Sequence, residues 1–174
     1  LTAFHFPDGE EKSLREERDT IAAIATALGE GGIGIVRISG PEALRIADSI
    51  LDRPVSEAAG YTVHYRHVKE QSLILDEVLV TVFRAPHSFT AEDSVEINCH
   101  GGLYLLQAVL NAVLSAGARM AEPGEFSKRA FLNGRMDLSQ AEAVMDLIQA
   151  KNSHALRAAV NQLDGKLSEK IHVL

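Results

Sequence analysis

Residues 121–148 read AEPGEFSKRAFLNGRMDLSQAEAVMDLI, and a physical cause can be assigned to each helix boundary in this stretch. Gly124 precedes a short helix, and Asn133-Gly134 supplies residues that tolerate the left-handed conformation and can end it. Asp137 can then cap a second helix, while Gln140, three residues later, reaches back to the cap amide in a variant of the capping box. The stretch therefore predicts two helices that meet at one corner.

Arg135 lies in this corner, one residue after the glycine that ends the first helix. A cation held between two rigid helices is better placed to bind an anion than a cation on a free loop. The alternative is that Arg135 only solvates the turn. Spacing alone does not decide between the two, so Arg135 is a candidate anion-binding residue.

Upstream of the corner, the chain alternates between apolar strand-like runs and amphipathic helices. Runs at residues 20–27, 33–39, 61–68, 73–83 and 94–99 are predicted to be strands, because they are rich in Val and Ile or alternate in polarity. A helix capped by Ser39-Gly40-Pro41 is expected after the second run, and a second helix is expected after Gly101-Gly102. This order predicts an α+β fold, a mixed sheet backed by helices, because a regular parallel α/β alternation is absent.

Downstream of Asp137 the apolar residues keep a helical spacing to the last residue, and no Gly or Pro closes the pattern at its end. We therefore expect one long amphipathic helix there. Because its apolar stripe ends without a stop signal, the chain is interpreted as part of a longer one. The expected organisation is a leader or disordered segment at residues 1–18, a domain at 19–122, and a junction with the first helices of a second domain at 123–174.

Composition excludes several classes of protein. The 174 residues are 46% hydrophobic and carry a net charge of −7, of which −4 belongs to the chain after residue 19, and this balance argues against a surface that neutralises nucleic-acid phosphates. No apolar run is long enough to cross a bilayer, and no secretory signal is recognisable, so no membrane association is expected. The single cysteine, Cys99, forbids an internal disulfide, which suits the cytoplasm.

Nucleotide-binding patterns are weak or absent. Gly29 to Gly34 match G-x-G-x-x-G, but the following residues, Ile35 to Ile38, predict a strand where that motif needs a helix N-terminus. A hairpin is the preferred interpretation. The sequence contains no G-x-x-x-x-G-K-[ST] phosphate loop, so we expect no GTP binding by this chain.

Patterns typical of catalytic or metal-binding sites also have little support in the sequence. Cys99 and His100 are neighbours on a predicted strand, so they point to opposite faces and cannot share a proton; a buried cysteine is the preferred interpretation. His64 and His67 lie on opposite faces for the same reason, and His87 has no paired ligand nearby. The sequence predicts no catalytic residue and no metal site.

Three features remain as binding candidates. His100-Gly101-Gly102 either lets a ligand approach the backbone or forms a plain turn from strand to helix. Arg37 is a charge within an apolar strand, and it either faces solvent or needs an anionic partner. Glu96 faces away from Val95 and Ile97, where its carboxylate could accept two parallel hydrogen bonds from an amino-pyrimidine edge, or it is simply solvated.

The chain also resembles a known family over nearly its whole length. Three segments match in order: 19–26 (DTIAAIAT) running through 34–40 (GIVRISG), 89–102 (FTAEDSVEINCHGG), and 124–144 (GEFSKRAFLNGRMDLSQAEAV). They are similar to the N-terminal domain of the tRNA-modification GTPase family MnmE, also called TrmE, and to its junction with the helical domain.

The resemblance implies a fold similar to the folate-binding part of the glycine-cleavage aminomethyltransferase, a bound 5-formyl-tetrahydrofolate and a homodimer. By the same resemblance, folate contacts fall on Arg37, Glu96 and Arg135; some family members have Lys at the position of Arg135, a change that alters reach and hydrogen-bond geometry. Arg37 and Arg135 would be the cations and Glu96 the acid, held apart to meet opposite ends of the folate. Which cation takes which end is not decided by the sequence.

The implied parent protein modifies the wobble uridine of certain tRNAs together with the flavoprotein MnmG. GTP, Mg²⁺ and K⁺ would be bound by a G domain that this chain lacks, tRNA would be contacted through the full-length complex, and the chain alone should hydrolyse nothing. Two alternatives stay open: a self-standing folate-dependent one-carbon transferase, and a purely structural dimerisation module.

Overall fold

The computed structural model describes residues 19–29 and 31–164 of the chain. The strands are Ile21–Ile24 (β1), Ile33–Ser39 (β2), Thr62–Glu70 (β3), Leu73–Phe83 (β4), Ser94–His100 (β5) and Arg119–Met120 (β6); the helices are Ala43–Ile50 (α1), Leu103–Ser115 (α2), Glu125–Leu132 (α3), Leu138–Gln149 (α4) and Ser153–Leu163 (α5). This arrangement confirms the predicted α+β fold class.

The described strands form one mixed sheet in the order β3-β4-β5-β2-β1-β6. Neighbouring strands are antiparallel except for β1 and β6, which are parallel. Hydrophobic periodicity did not predict β6, because two residues are too short to show a period. Its pairing with β1 nevertheless places the end of α2 at the edge of the sheet.

One face of the sheet forms the core of the molecule. Residues that alternate along the central strands are completely buried there, and α1 and α2 pack against them; the largest are Val36, Ile38, Val80, Val82, Val95 and Ile97. The intervening residues point to the other face. We call this second face the Arg37 face, after the row that contains Arg37 and Glu96.

The first helix is capped differently from the sequence expectation. Glu42 occupies the N-cap position and its side chain makes no capping hydrogen bond. Ser39 does not cap the helix, because its hydroxyl donates to a carboxylate oxygen of Glu92 at 2.8 Å. Instead, the hydroxyl oxygen of Thr20 accepts a hydrogen bond from the Glu42 amide at 2.9 Å. The helix start is therefore satisfied by the residue that precedes β1, 22 positions earlier in the sequence.

The described residues divide into two compact units, one of residues 19–29, 31–88 and 92–123 and one of residues 89–91 and 124–164. The first, which we call the sheet unit, contains the sheet with α1 and α2. The second, which we call the helical unit, contains α3, α4 and α5 with the short segment Phe89–Ala91.

The helical unit corrects the expectation of a single long helix after Asp137. Helix α4 ends at Gln149, and α5 begins after Asn152, whose side-chain oxygen accepts a hydrogen bond from the Ala155 amide. Gln140 at the start of α4 donates to the Leu163 carbonyl at 2.7 Å, so the two helices form an antiparallel hairpin. The N-cap signal at Asn152 therefore outweighs the continuous apolar spacing. Residues 165–174, the last part of the expected helix, lie outside the described residues.

The corner between α3 and α4 agrees with the sequence in most respects. Asp137 accepts from the Gln140 amide while the Gln140 side chain accepts from the Asp137 amide, which confirms the capping box. Gly134 has a φ of 71°, as expected for a left-handed helix end, whereas Asn133 has a φ of −82°. Only one of the two residues is left-handed, because a single such residue reverses the chain direction.

Asp52, just after α1, makes the stability of the sheet unit dependent on pH. The His67 backbone amide donates to this carboxylate at 3.0 Å, and the hydrogen bond and charge of the His67 side chain act in the same direction, so the pKa of Asp52 falls to about 2. A lowered carboxyl pKa gives stability that is present above the unfolded-state pKa and is lost as pH falls through the folded-state value.

When the pH falls from about 4.5 to about 2, we expect the unsubstituted chain to lose about 1 to 2 kcal/mol more free energy of unfolding than the Asp52→Asn variant loses. This amount is discounted for solvent screening because Asp52 is partly exposed. Urea unfolding at both pH values measures it. Equal losses in the two chains would contradict the assignment. Glu57→Gln is the control, because it removes an exposed carboxylate that makes no hydrogen bond within the described part of the sheet unit, and it should lose as much unfolding free energy as the unsubstituted chain.

Candidate functional site

Arg37 and Glu96 are directly opposite each other on β2 and β5 and form an ion pair on the Arg37 face. Arg37 donates from Nη2 at 2.7 Å and from Nε at 2.9 Å, and both hydrogen bonds go to Oε1 of Glu96. Their side chains are only 27% and 20% exposed. The structure thus brings together two of the three predicted site residues, in contact with each other and not held apart as expected.

The pair is rigid because the two strands on which it stands are central and fully paired. Strand β5 is bonded to β2 on one side and to β4 on the other, with Thr81 facing Glu96 across the second boundary. Val36, Ile38, Val95 and Ile97 anchor the same backbone from the buried face. The carboxylate of Glu96 uses one oxygen for Arg37, and within the described part of the sheet unit its Oε2 accepts no hydrogen bond, so it can still accept from a ligand.

Arg135, the third predicted site residue, belongs to the helical unit and is exposed. Its backbone amide donates to the Ala130 carbonyl at 2.9 Å, and its guanidinium carbon lies 5.3 Å from the centroid of the Phe89 ring. This distance is typical of a cation–π interaction. Phe89 was not singled out from the sequence, because its proximity to Arg135 depends on a contact between segments 46 positions apart.

A cavity of about 270 Å³ opens in the sheet unit near the end of β5. It is lined by residues from four strands and the β1–β2 loop, among them Ile33, Tyr65, Glu77, Leu79, Asn98 and His100. Apolar side chains make up most of its wall, while Glu77, Asn98 and His100 supply polar groups. The lining thus combines an apolar wall with a few polar groups, a combination common in ligand pockets.

His100 at this cavity is oriented by a buried carboxylate. Nδ1 of His100 donates to Oδ1 of Asp76 at 2.7 Å, and the His100 backbone amide donates to Oδ2 at 2.9 Å. The Asp76 side chain is 8% exposed whereas that of His100 is 71% exposed. In the sequence, the only signal of this pair is an acid, Asp76, within an apolar strand. In the structure, Asp76 completes the hydrogen bonding of the His100 backbone beyond the end of the β4–β5 ladder.

Cys99 is confirmed as a buried small residue. Its thiol lies on the core face and contacts the Ile97 carbonyl at 3.5 Å, on the side of the sheet opposite His100. Burial, with a smaller contribution from the charge of Asp76, raises the pKa of Cys99 to about 12. The thiol is therefore protonated at neutral pH and cannot act as a nucleophile.

The glycines after His100 have different surroundings. A Cβ on Gly101 would collide with the Gly31 carbonyl group and approach the Ile33 amide nitrogen to 2.9 Å, whereas a Cβ on Gly102 would meet nothing within 4 Å. The close backbone approach expected from this motif is therefore made by the β1–β2 loop. Strand β2 follows that loop, in agreement with the hairpin interpretation of the glycine pattern at residues 29–34.

Two further histidines, His64 and His67, contact neighbouring side chains. His64 contacts the hydroxyl of Thr62 at 2.8 Å, and His67 donates from Nδ1 to Asp52 at 3.0 Å. Among residues 19–29 and 31–164, no group of three or more His, Cys, Asp or Glu side chains is placed to hold a metal ion. No helix in that part of the chain has the length and apolar character that crossing a membrane requires.

The fold defines a class of protein: an α+β domain built on a mixed sheet, followed by a helical unit. A family model described as "GTP-binding protein TrmE N-terminus" matches residues 20–135, and a second, "MnmE helical domain", matches residues 138–174. The chain therefore belongs to the MnmE family.

Curated relatives agree with this assignment. A protein named tRNA modification GTPase MnmE from Listeria welshimeri is 58% identical over 160 residues, which cover 91% of this chain and 35% of the relative. Proteins with the same name from Bacillus velezensis and Bacillus subtilis are 56% and 54% identical over 162 residues, again covering 90% of this chain and 35% of each relative. The chain thus spans about a third of the length of the curated relatives that it matches.

Proposed function

We propose that this chain is a folate-binding and dimerisation module, and that its ligand is 5-formyl-tetrahydrofolate. The observation that carries the proposal is the half-buried pair of Arg37 and Glu96 on the Arg37 face. Partial burial of two charged groups costs desolvation free energy. A sheet face with a purely structural role would avoid that cost by carrying apolar side chains at these two positions. The free carboxylate oxygen of Glu96 suits the amino-pyrimidine edge of a reduced pterin.

Calorimetric titration of the chain with 5-formyl-tetrahydrofolate tests this proposal directly. Saturable binding with one site per chain is expected. A chain that folds cooperatively but releases no heat and shows no ligand-induced rise in melting temperature would favour the purely structural dimerisation module, since a ligand that binds the folded state must stabilise it.

For the full-length protein, we propose modification of the wobble uridine of certain tRNAs in the cytoplasm, together with an MnmG-like flavoprotein. The names of the curated relatives support tRNA modification and a GTPase activity. GTP, with Mg²⁺ and K⁺, is assigned to a G domain outside this chain, since the 174 residues contain no phosphate-binding loop. In this scheme the present chain supplies the one-carbon ligand, and it catalyses no hydrolysis alone.

The dimer is proposed to form through the Arg37 face. Large apolar side chains are exposed on that face along the β3 side of the sheet, namely Ile33, Tyr61, Val63, Tyr65 and Leu79. Exposed apolar patches of this kind on soluble proteins are typical of interfaces, and a two-fold dimer would cover the same patch on both copies.

We therefore expect the chain to sediment as a dimer at tens of micromolar protein, and the double variant Val63→Glu, Leu79→Glu to sediment as a monomer, because it places two charges in each half of the interface. Gln107→Glu on the exposed side of α2 is the matched control and should remain dimeric. A parent chain that is monomeric, or a double variant that is still dimeric, would count against this face.

A further inference from the structure

Strand β3 is an outer strand of the described sheet, because β4 is its only neighbour in the order β3-β4-β5-β2-β1-β6. In an antiparallel pair, the backbone amide and carbonyl groups of every second residue point away from the partner strand. On an outer strand these groups can bind a strand of another molecule. The outer edge of β3 is therefore a surface at which two copies of the chain could pair.

The composition of β3 favours such pairing. The strand reads TVHYRHVKE and contains valine, threonine and tyrosine, which are frequent in strands. On or just before it, the side chains of Tyr61, Val63 and Tyr65 are exposed. An exposed apolar outer strand is a typical site of association between strands. A closed dimer with a two-fold axis therefore requires that this edge be blocked.

The C-terminal half of the edge is covered by the segment that follows α1. Leu51 forms an isolated antiparallel bridge with Val68. The Asp52 amide donates to the His67 carbonyl at 3.0 Å, and the His67 amide donates to Oδ1 of Asp52 at 3.0 Å. Both outward backbone groups of His67 are thus bonded within the chain, so no other strand can pair there without displacing Asp52.

The next outward carbonyl along the edge, that of Tyr65, is covered by two arginines. Nη1 of Arg66 donates to it at 2.7 Å, and Nη2 of Arg53 donates to it at 3.3 Å. Arg66 is held in place because its Nε donates to the Arg53 carbonyl at 3.1 Å and its Nη2 donates to the Pro54 carbonyl at 3.3 Å. Charged side chains along an outer strand also oppose strand pairing.

The open part of the edge is short. Since His67 and Tyr65 direct backbone groups outward, the alternation along the strand places those of Val63 on the same side. Within the described part of the sheet unit, neither the Val63 backbone nor the Tyr65 amide makes a hydrogen bond across this edge. Strand pairs as short as this are marginal in water.

We propose that Arg53 and Arg66, with Asp52 beside them, close the outer edge of β3, so that copies of this chain associate through the Arg37 face and not by pairing of β3 strands. This closure deepens the proposed dimer, on which it rests for the surface that the two copies use. Without the arginines, Val63 of one copy could lie opposite Tyr65 of another and the two strands could exchange about four hydrogen bonds. Sheets joined at their edges would leave both faces free to recruit further copies.

The double variant Arg53→Ser, Arg66→Thr tests the closure, because it removes both guanidinium groups and leaves a residue suited to a strand at position 66. At tens of micromolar protein, sedimentation should give an average mass about 2-fold or more above that of the unsubstituted chain. Amide hydrogen exchange measured by NMR locates the contact. In the variant, the Val63 and Tyr65 amides should exchange about 10-fold more slowly as protein concentration rises, because they donate to the second copy.

Arg45→Ser with Arg157→Ser is the matched control. It removes the same charge from two exposed arginines on α1 and α5, and it should keep the mass and the exchange rates of the unsubstituted chain. Urea unfolding at low protein concentration checks that both double variants fold. Their midpoints should equal that of the unsubstituted chain, because hydrogen bonds and charges at the surface contribute little to stability.

Three results would overturn the closure of the edge. The first is a double variant with the mass and exchange rates of the unsubstituted chain. The second is a heavier double variant whose Val63 and Tyr65 amides exchange as before, because the new contact then lies elsewhere. The third is slower exchange of these two amides at high concentration in the unsubstituted chain, because its edge would then already be paired.

Two further outcomes are kept separate. An unsubstituted chain that is monomeric contradicts the proposed dimer, whereas the comparison with the double variant still decides whether the arginines close the edge. Should the double variant fail to fold, Arg66→Thr alone is measured, because it frees the Tyr65 carbonyl from its nearer donor and leaves Arg53 in place. Its mass and exchange rates are expected to change in the same direction, and unchanged values would overturn the closure.

Discussion

Replacement of Glu96 by alanine is expected to weaken binding of 5-formyl-tetrahydrofolate by about 2 to 5 kcal/mol, which raises the dissociation constant by a factor of tens to several thousand. The variant removes the carboxylate proposed to receive the amino-pyrimidine edge, and it also removes the ion pair that Glu96 makes with the half-buried Arg37. Arg37→Ala has the reciprocal effect and is expected to fall in the same range. Calorimetric titration measures the affinities, and urea unfolding separates loss of binding from loss of the folded state.

Arg45→Ala is the matched control for this pair. Arg45 forms an ion pair with Glu42 on α1 in the same sheet unit, but both side chains are more than half exposed. Removal of a solvated pair of this kind should change binding by less than about 2-fold.

A charge-reversed variant, Arg37→Glu with Glu96→Arg, is a further test, because it keeps an ion pair between the strands while it exchanges the groups offered to the ligand. If Glu96→Ala and Arg37→Ala fold and bind as the parent does, the assignment of these residues is wrong.

Gly101→Ala is expected to lower the free energy of unfolding by about 2 to 4 kcal/mol or to prevent folding. The added Cβ would lie 2.7 Å from the carbonyl carbon of Gly31 and 2.9 Å from the Ile33 amide nitrogen, in addition to its collision with the Gly31 oxygen. These are backbone atoms at the start of β2, so no side-chain rotation relieves the overlap. The β1–β2 loop would have to move away from the sheet.

Gly102→Ala is the neighbouring control. Gly102 has ordinary dihedral angles, φ −73° and ψ 129°, and open space around the position of a Cβ. Its unfolding free energy should stay within about 0.5 kcal/mol of the parent. Thermal or urea unfolding of both variants gives the comparison. If the two variants are equally stable, or if Gly102→Ala alone is damaged, the packing of the β1–β2 loop against Gly101 is not what requires glycine in this motif.

The secondary structure could be predicted from the sequence where signals between neighbouring residues, such as apolar periodicity and helix capping, decide it. Strand β4 was predicted at residues 73–83 and is observed at Leu73–Phe83, because eleven residues of alternating or continuous apolar character leave little ambiguity. Both hydrogen bonds of the capping box between Asp137 and Gln140 could be predicted, because the two residues lie within one helical turn. Failures occur where long-range contacts decide, as at the start of α1, where Thr20 replaces the expected local cap.

The candidate site shows the same division. The alternation of polar and apolar residues along β2 and β5 indicates from the sequence that Arg37 and Glu96 each point away from the apolar face of their strand. The contact between their side chains could not be predicted from the sequence, because it depends on strand register, and the two residues are 59 positions apart. The sequence also did not predict the contact of Arg135 with the Phe89 ring or the hydrogen bonds between Asp76 and His100, because each joins residues far apart along the chain.

By itself, the sequence determined the class of fold, the family, the helical corner and the identity of the three charged candidates, because periodicity, capping and motif order are properties of neighbouring residues. Only the tertiary structure decided that Arg37 is neutralised by Glu96, that Arg135 rests on an aromatic ring, and that α4 and α5 fold back as a hairpin. Those facts depend on strand register and helix packing, whose free energies come from contacts between residues far apart along the chain.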